Sequence, residues 1–420
     1  MNFILAAIPL FLLLIVIELV VDRYRGTGYY RFNDAINSLN LGIFSRVTGI
    51  LKAAIPFSVY YLLYENYALF TFNQDSIWLW LIAFVLYDLA YYWIHRLNHR
   101  ISVMWGSHVV HHSSEEYNLT TALRQTSTPS LLGWTIVLPL ACVGISPMLL
   151  LACASLNLIY QFWVHTRHID KMPAWFEAIF VTPSHHRVHH ALNRDYIDKN
   201  FGGVFILWDK LFRSFQAEKS EIETVYGVSQ QLKSWNPLWA NFQVYFLLWQ
   251  DAWRTRNWRD KIKVWFMPPG WRPDDVKQEF PRQYVTTKTM HNLRFDTDIS
   301  TARKRYLSCQ YLVFLLGIVG LLLGAGQNSL FVNLTLCTIA TINLLVIGMV
   351  QARQSYSLFA ECIRLFLLST AMVWQLPEAY RQIGVLCALG YVVASISFIK
   401  LYVKVREDNI LSNKDTVITQ

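Results

Sequence analysis

Eight windows of this 420-residue chain run long and almost uncharged, at about residues 2–20, 38–63, 76–94, 130–164, 306–325, 329–350, 357–375 and 382–402. Backbone amides find no water in hydrocarbon, so windows of this kind enter a bilayer as helices. Most are long enough to cross a core of about 30 Å at roughly 1.5 Å per residue. With 54% hydrophobic and only 15% charged residues, the chain is no ordinary soluble domain. It reads as an all-α, polytopic membrane protein.

The first window lacks the basic n-region of a signal peptide and is expected to be an uncleaved anchor. Pro139 and Pro147 sit inside the window 130–164, which therefore forms two short helices or a hairpin that returns to its own side. Lys and Arg fill the loops 22–36, 95–128, 166–305 and 351–356 and the tail after 399, and are absent or nearly so from 65–75, 326–328 and 376–381. By the positive-inside rule the N-terminus is then outside, and the C-terminus faces the cytoplasm together with every histidine-bearing loop. The net charge of +9 resides largely beside the bilayer, which suits anionic headgroups; no basic patch suggests nucleic acid. The six cysteines lie in or at the edges of apolar windows without a CxxC pair, as buried thiols do.

Three parts are expected: membrane helices over 1–165, a polar part over 166–305 and membrane helices with a tail over 306–420. Within the second, SWNPLWANFQVYFLLWQDAWRTRNWRDKIKVWF interleaves tryptophan with Arg and Lys. It suits either a helix at headgroup level or an amphipathic helix packed on the protein. In the third, Glu361 and Arg364, three residues apart, are expected to pair, because isolated charges there are costly; a contact with a substrate headgroup is the other reading.

Eleven of the 12 histidines fall between residues 95 and 190, where even scatter would put about three. His95 and His99 form HxxxH at helical spacing, while His108, His111 and His112, and again His186, His189 and His190, form HxxHH. Residues three and four apart share a helical face, so each set aims several imidazoles at one point. His165 and His185 extend the set to ten, more than one tetrahedral ion takes, so two metals held by nitrogen are expected. Isolated histidines are usually satisfied polar groups, the reading kept for His168 and His291. Asp88, seven residues before His95, is expected to orient a histidine N–H, and Glu115 and Glu116 are weaker candidates for the same task beside simple solvation. Asn118, Thr120, Thr121, Arg124 and Gln125 either bind a headgroup or reductant or cap and brace the histidine segments. Tyr91, Tyr92, Trp105 and Trp163 are candidate pocket walls, or ordinary interfacial aromatics.

The boxes HRLNH, HVVHH and HHRVHH resemble those of the fatty acid hydroxylase/sterol desaturase superfamily of membrane di-iron oxygenases. HHSSEEYNLTTALRQ, NLIYQFWVHT, TPSHHRVHH and DKNFGGVFILWDKLFRSF are similar to its tetrahydrobiopterin-dependent, ether-lipid-cleaving branch, most densely over 88–227. Arg100 stands where that branch carries a glutamate. The resemblance implies a cytoplasm-facing, histidine-rich di-iron helical core with His95, His99, His108, His111, His112, His165, His185, His186, His189 and His190 as ligands. Asp88, Glu115, Asn118 and Arg124 are then the candidate catalytic residues. It also implies O2 and a membrane lipid as substrates and tetrahydrobiopterin as reductant, with hydroxylation beside the ether oxygen giving a hemiacetal that collapses to an aldehyde and a glycerol. Two other readings are weighed against it. One is a sterol, fatty acyl or carotenoid hydroxylase or desaturase fed by an electron-transfer protein. The other is a metal or proton transporter, which would carry ionisable groups along several spans.

Overall fold

The computed structural model describes residues 3–52, 54–128, 132–290, 292–324, 326–355 and 357–400; His291 and the tail from 401 lie outside the described residues. Among these residues the chain is helical, with two isolated bridges, Phe180 to Phe205 and Ala191 to Tyr226, and no sheet. It divides into two compact units: residues 1–233 with 239–295, and residues 234–238 with 296–420.

The first unit begins with the long helices α1 (Phe3–Arg25), α2 (Phe32–Lys52), α3 (Ala54–Tyr67) and α4 (Ile77–Arg100). Short helices follow: α5 (Ser102–Trp105), α6 (Val109–His112), α7 (Leu119–Leu123) and α8 (Leu138–Val143). Next come α9 (Pro147–Trp163), α10 (Ala174–Ile179), α11 (Pro183–His190) and α12 (Leu207–Leu211). The last of this unit are α13 (Pro237–Arg254), α14 (Trp258–Phe266), α15 (Asp274–Glu279) and α16 (Thr287–Met290). The window 130–164 is indeed split. α8 ends at Gly144, whose φ of +109° and whose approach to the Phe70 carbonyl, 2.1 Å from where a Cβ would stand, leave room for glycine alone. The Ser146 side chain then caps α9, with Pro147 as its first residue.

Packing around α9 sets the position of the histidine segments. α9 lies against α1, α4 and α7, and Phe11 stacks on Phe162 at 4.1 Å between ring centroids. α2 meets α7 at Gly42, where a Cβ would come within 2.3 Å of the Leu123 carbonyl oxygen. The backbones therefore touch, which ties the segment after the second box to the membrane helices.

The second unit holds α17 (Thr301–Gly324), α18 (Leu330–Gln351), α19 (Ser357–Trp374) and α20 (Arg381–Phe398). By length and composition, five described helices can cross a bilayer: α4, α17, α18, α19 and Glu378–Phe398; α2 with α3, taken as one bent element, makes a sixth. The Glu361–Arg364 pair forms as expected. The Arg364 guanidinium reaches both carboxylate oxygens, at 2.6 and 2.8 Å, and also bonds Gln310 (2.5 Å) and Asn343 (3.2 Å). Tyr306 donates to Glu361 and Tyr391 to Gln310, so both buried charges are fully engaged.

Candidate metal centre

His95 and His99 occupy the last two turns of α4. His108, His111 and His112 follow on the turn into α6, His165 lies just beyond the end of α9, and His186, His189 and His190 share a face of α11. The Thr182 hydroxyl caps α11 and Pro183 starts it, so this short helix has its first turn fixed by sequence. These separate stretches meet. His95, His99, His108, His112 and His189 form one group and His111, His165, His186 and His190 a second, each with its nitrogens within 4.8 Å of one another. The groups adjoin, with the His112 and His190 rings stacked at 4.3 Å.

Backbone carbonyls aim four of the rings. Nδ1 of His95 donates to Phe201 O (2.8 Å), of His111 to Arg124 O (3.0 Å), of His165 to Gln161 O (2.8 Å) and of His189 to Lys199 O (2.9 Å). A neutral imidazole carries one N–H, so Nε2 of each of these rings is left as a bare lone pair. Yet the Nε2 atoms of His111 and His165 face each other at 3.3 Å, and the spacing recurs: His165 to His186 is 3.1 Å, His186 to His190 3.2 Å, His112 to His189 3.2 Å and His95 to His108 2.9 Å. In the other contacts one ring can carry its proton on Nε2, but between His111 and His165 neither can, and a further proton does not resolve that clash. Burial pushes His111 down to about 4 and His189 to about 3, and it depresses His108, His112, His165, His186 and His190 as well. Converging lone pairs need a cation. Nitrogens bound about 2.0–2.1 Å from one ion stand roughly 3 Å apart around it, so the donor set fits a metal in each group.

Of the ten histidines singled out, nine come together; His185 stands apart, its ring against Phe215 at 5.6 Å. Asp88 touches no histidine. Its carboxylate accepts from Asn157 Nδ2 (2.5 Å), the Val204 and Phe205 amides (2.9 and 3.1 Å) and Trp208 Nε1 (2.9 Å). It thus pins the segment after Phe201 to α4 and α9. The physical reason is distance: seven residues down a helix share a face but lie about 10 Å away along the axis.

Glu115 accepts from Gln231 Nε2 and the Phe295 amide, both at 2.8 Å, and Glu116 meets Arg31, Arg167 and Arg294 at 2.6, 2.9 and 3.3 Å. Neither bonds an imidazole. Asn118 caps α7 in a box with Thr121 and donates to Tyr29 O. Arg124 is buried, bonds Val110 O, Ser113 and Ser38, and presents its own carbonyl to His111. These residues brace the second box. His168 sits beside Asp22 at 3.9 Å, apart from both groups.

A cavity of about 290 Å³ opens onto His99, His112, His189 and His190. Trp105, 5.0 Å from His99 and 5.6 Å from His112 between ring centroids, forms one wall. Of the other aromatic candidates, Tyr91 bonds Gln161, Tyr92 pairs with Ser214 and Trp163 packs on Tyr160 and Phe176; none of the three lines this cavity. The cavity lining also carries a triad that belongs to no histidine box. Asp251 pairs with Arg272 at 2.8 Å and with Arg282 at 2.8 Å.

Two adjoining imidazole clusters at the end of a membrane helix define a histidine-box membrane protein, and the fatty acid hydroxylase family pattern matches residues 80–214, which contain all nine convergent histidines. Human alkylglycerol monooxygenase is 38% identical over 319 residues, covering 75% of this chain and 70% of its own. The Xenopus tropicalis and Danio rerio alkylglycerol monooxygenases are 36% and 37% identical, over 65% and 64% of this chain and 60% and 59% of theirs. The chain belongs to the alkylglycerol monooxygenase family. No solved structure matches it.

Proposed function

We propose that the two imidazole groups hold a pair of iron ions. On this reading the chain is a membrane monooxygenase that uses O2 and a tetrahydropterin to hydroxylate an O-alkylglycerol at the carbon beside its ether oxygen, releasing an aldehyde and glycerol. The observation that carries the metal reading is the pair His111 and His165, whose protons are both committed to carbonyls while their lone pairs face each other at 3.3 Å. The substrate and the reductant rest on the family. Such a pair, when bound, supplies the O2 activation that no side chain offers.

The chain's residues position and exclude. Carbonyls of Phe201, Arg124, Gln161 and Lys199 keep four Nε2 atoms turned inward, and burial excludes water around His95, His111 and His165. His99, His112, His189 and His190 face the cavity, so an alkyl chain lying on Trp105, Val109 and Val244 would lie beside the imidazole groups that would hold the ions. Asp88, Glu115, Asn118 and Arg124 act through position, holding the segments that carry the histidines. The basic loops beside the spans support a cytoplasmic site.

Iron-loaded full-length protein, given O2 and a 1-O-alkylglycerol or, in parallel, a sterol, acyl or carotenoid lipid, with either a tetrahydropterin or a reduced electron-transfer protein, tests the reading by mass spectrometry. Equal amounts of fatty aldehyde and glycerol with the pterin alone are expected. No product with either reductant would contradict it, and hydroxylation or desaturation of a sterol, acyl or carotenoid chain with the electron-transfer protein would replace both substrate and reductant.

A further inference from the structure

α13 has two faces with different surroundings. Val244, Leu247, Leu248 and Asp251 line the cavity that opens onto the histidines. On its outer side Phe242, Phe246, Trp249 and Trp253 are exposed, the last by 74%, at spacings of four, three and four residues, which is one continuous helical stripe. α14 repeats the pattern with exposed Trp258, Ile262 and Phe266, four apart. The two helices are joined as one piece: Lys261 Nζ donates to the Ala252 and Trp253 carbonyls at the end of α13 (3.0 and 3.2 Å). Exposed Arg254, Arg256, Arg259 and Lys263 border the aromatic rows.

The height of this piece is set by α4. α5 follows directly on the end of α4, one of the helices able to span a bilayer, and packs on α14. The Ser102 amide and hydroxyl both donate to the Met267 carbonyl that closes α14, at 3.0 and 2.8 Å. The aromatic face therefore stands where a membrane helix leaves the hydrocarbon. Tryptophan-rich stripes with a cationic rim are what that level takes, the rings among acyl chain ends and the cations on phosphates. A second copy of the chain would place the rims of like charge against each other.

We infer that the outer face of α13 and α14 docks on an anionic bilayer leaflet, and that α13 is the shared wall past which a lipid moves from that leaflet into the cavity. This deepens the proposed function and rests on it for the identity of the lipid, but the docking itself does not depend on turnover. The test uses the full chain in nanodiscs of phosphatidylcholine, with and without phosphatidylserine, carrying Trp253→p-benzoylphenylalanine. Ultraviolet adducts between position 253 and lipid acyl chains are expected, more of them with phosphatidylserine, whereas a control with the same analogue at Leu316, which is 69% exposed on α17, gives adducts equally in both lipids. Absence of lipid adducts at 253 while the control gives them, or adducts to a second copy of the chain, would overturn the inference. In turnover, the pair Trp249→Gln and Trp253→Gln is expected to raise KM for a bilayer-held alkylglycerol on the order of tenfold, with kcat and the KM for a short, water-soluble alkylglycerol unchanged. Equal effects on both substrates, or none, would remove α13 from the lipid's route. Lipid adducts at 253 in a protein that turns over no alkylglycerol would instead sink the functional reading and leave the docking face in place.

Discussion

The two units each bury a polar constellation in an otherwise apolar setting, and they resolve it in opposite ways. Around Arg364 every charge meets a partner: Glu361 takes two guanidinium bonds, and Gln310, Asn343, Tyr306 and Tyr391 complete the shell. Around His111 and His165 the protons are spent outward on carbonyls and the lone pairs are left pointing at one another. A closed network of donors and acceptors holds helices together and asks for nothing more. Two facing acceptors with no proton between them ask for a cation. Burial alone thus says little about function; the balance of protons inside the cluster says a great deal.

The largest effect that separates the two regions is expected from His186→Ala, which removes the ring lying between His165 and His190. Iron content should fall by at least one ion per chain and turnover should reach background, while the thermal midpoint of the second unit is unmoved. Elemental analysis together with product assay reads this. Acid should discriminate next. In metal-free protein His111 and His189, held down at about 4 and 3 by burial, stay neutral when folded but take protons when unfolded. Stability is therefore expected to fall as pH drops below the ordinary imidazole value near 6.5, and to level off below about 3, because the unfolded chain binds the extra protons. Bound metal should raise stability and leave the onset near 6.5, but carry the loss to lower pH before it levels off, because metal-held imidazoles take no proton in the folded chain; denaturant titrations at a series of pH values with and without iron measure it.

Glu361→Ala leaves Arg364 buried without its counter-ion and is expected to cost about 3–5 kcal/mol. Iron per folded chain should stay at the wild-type value. Replacing both members by apolar residues, Glu361→Met with Arg364→Leu, should recover most of that loss, which would mark the pair as a packing device; a loss of turnover in the stable double variant would give it a role in substrate handling. The smallest effect belongs to His185→Gln. That ring stands outside both groups, so iron content and turnover should change less than twofold, and a loss of one ion would return His185 to the ligand set.

Much of this centre was legible in the sequence because ligand spacing on a helix is local. HxxxH and HxxHH fix which rings share a face, and nine histidines from four stretches converge as that spacing requires. His185 escapes by the same geometry, lying about a quarter turn away from the face shared by His186, His189 and His190. What could not be read was the outer set of bonds. The acceptors that orient the rings are the carbonyls of Phe201, Arg124, Gln161 and Lys199, and every residue has a carbonyl. Asp88 looked like the orienting acid because it shares a helical face with His95, yet it is spent on the amides of Val204 and Phe205. Asn118 offered a signal that could be read either way, and its capping of α7 follows from a side chain placed just before LTTAL. The Asp251, Arg272 and Arg282 triad joins residues 21 and 31 positions apart across several turns, with no periodicity to announce it.

The central claim is that these imidazoles surround two ions in separate, adjoining groups of five and four. Mössbauer spectroscopy of protein loaded with 57Fe, with iron counted per chain after removal of zinc, tests it most directly. Two irons per chain, in two distinct nitrogen-rich environments, is the expected result. A single iron site at full occupancy, or iron that washes away while the fold and all nine histidines remain intact, would contradict the account.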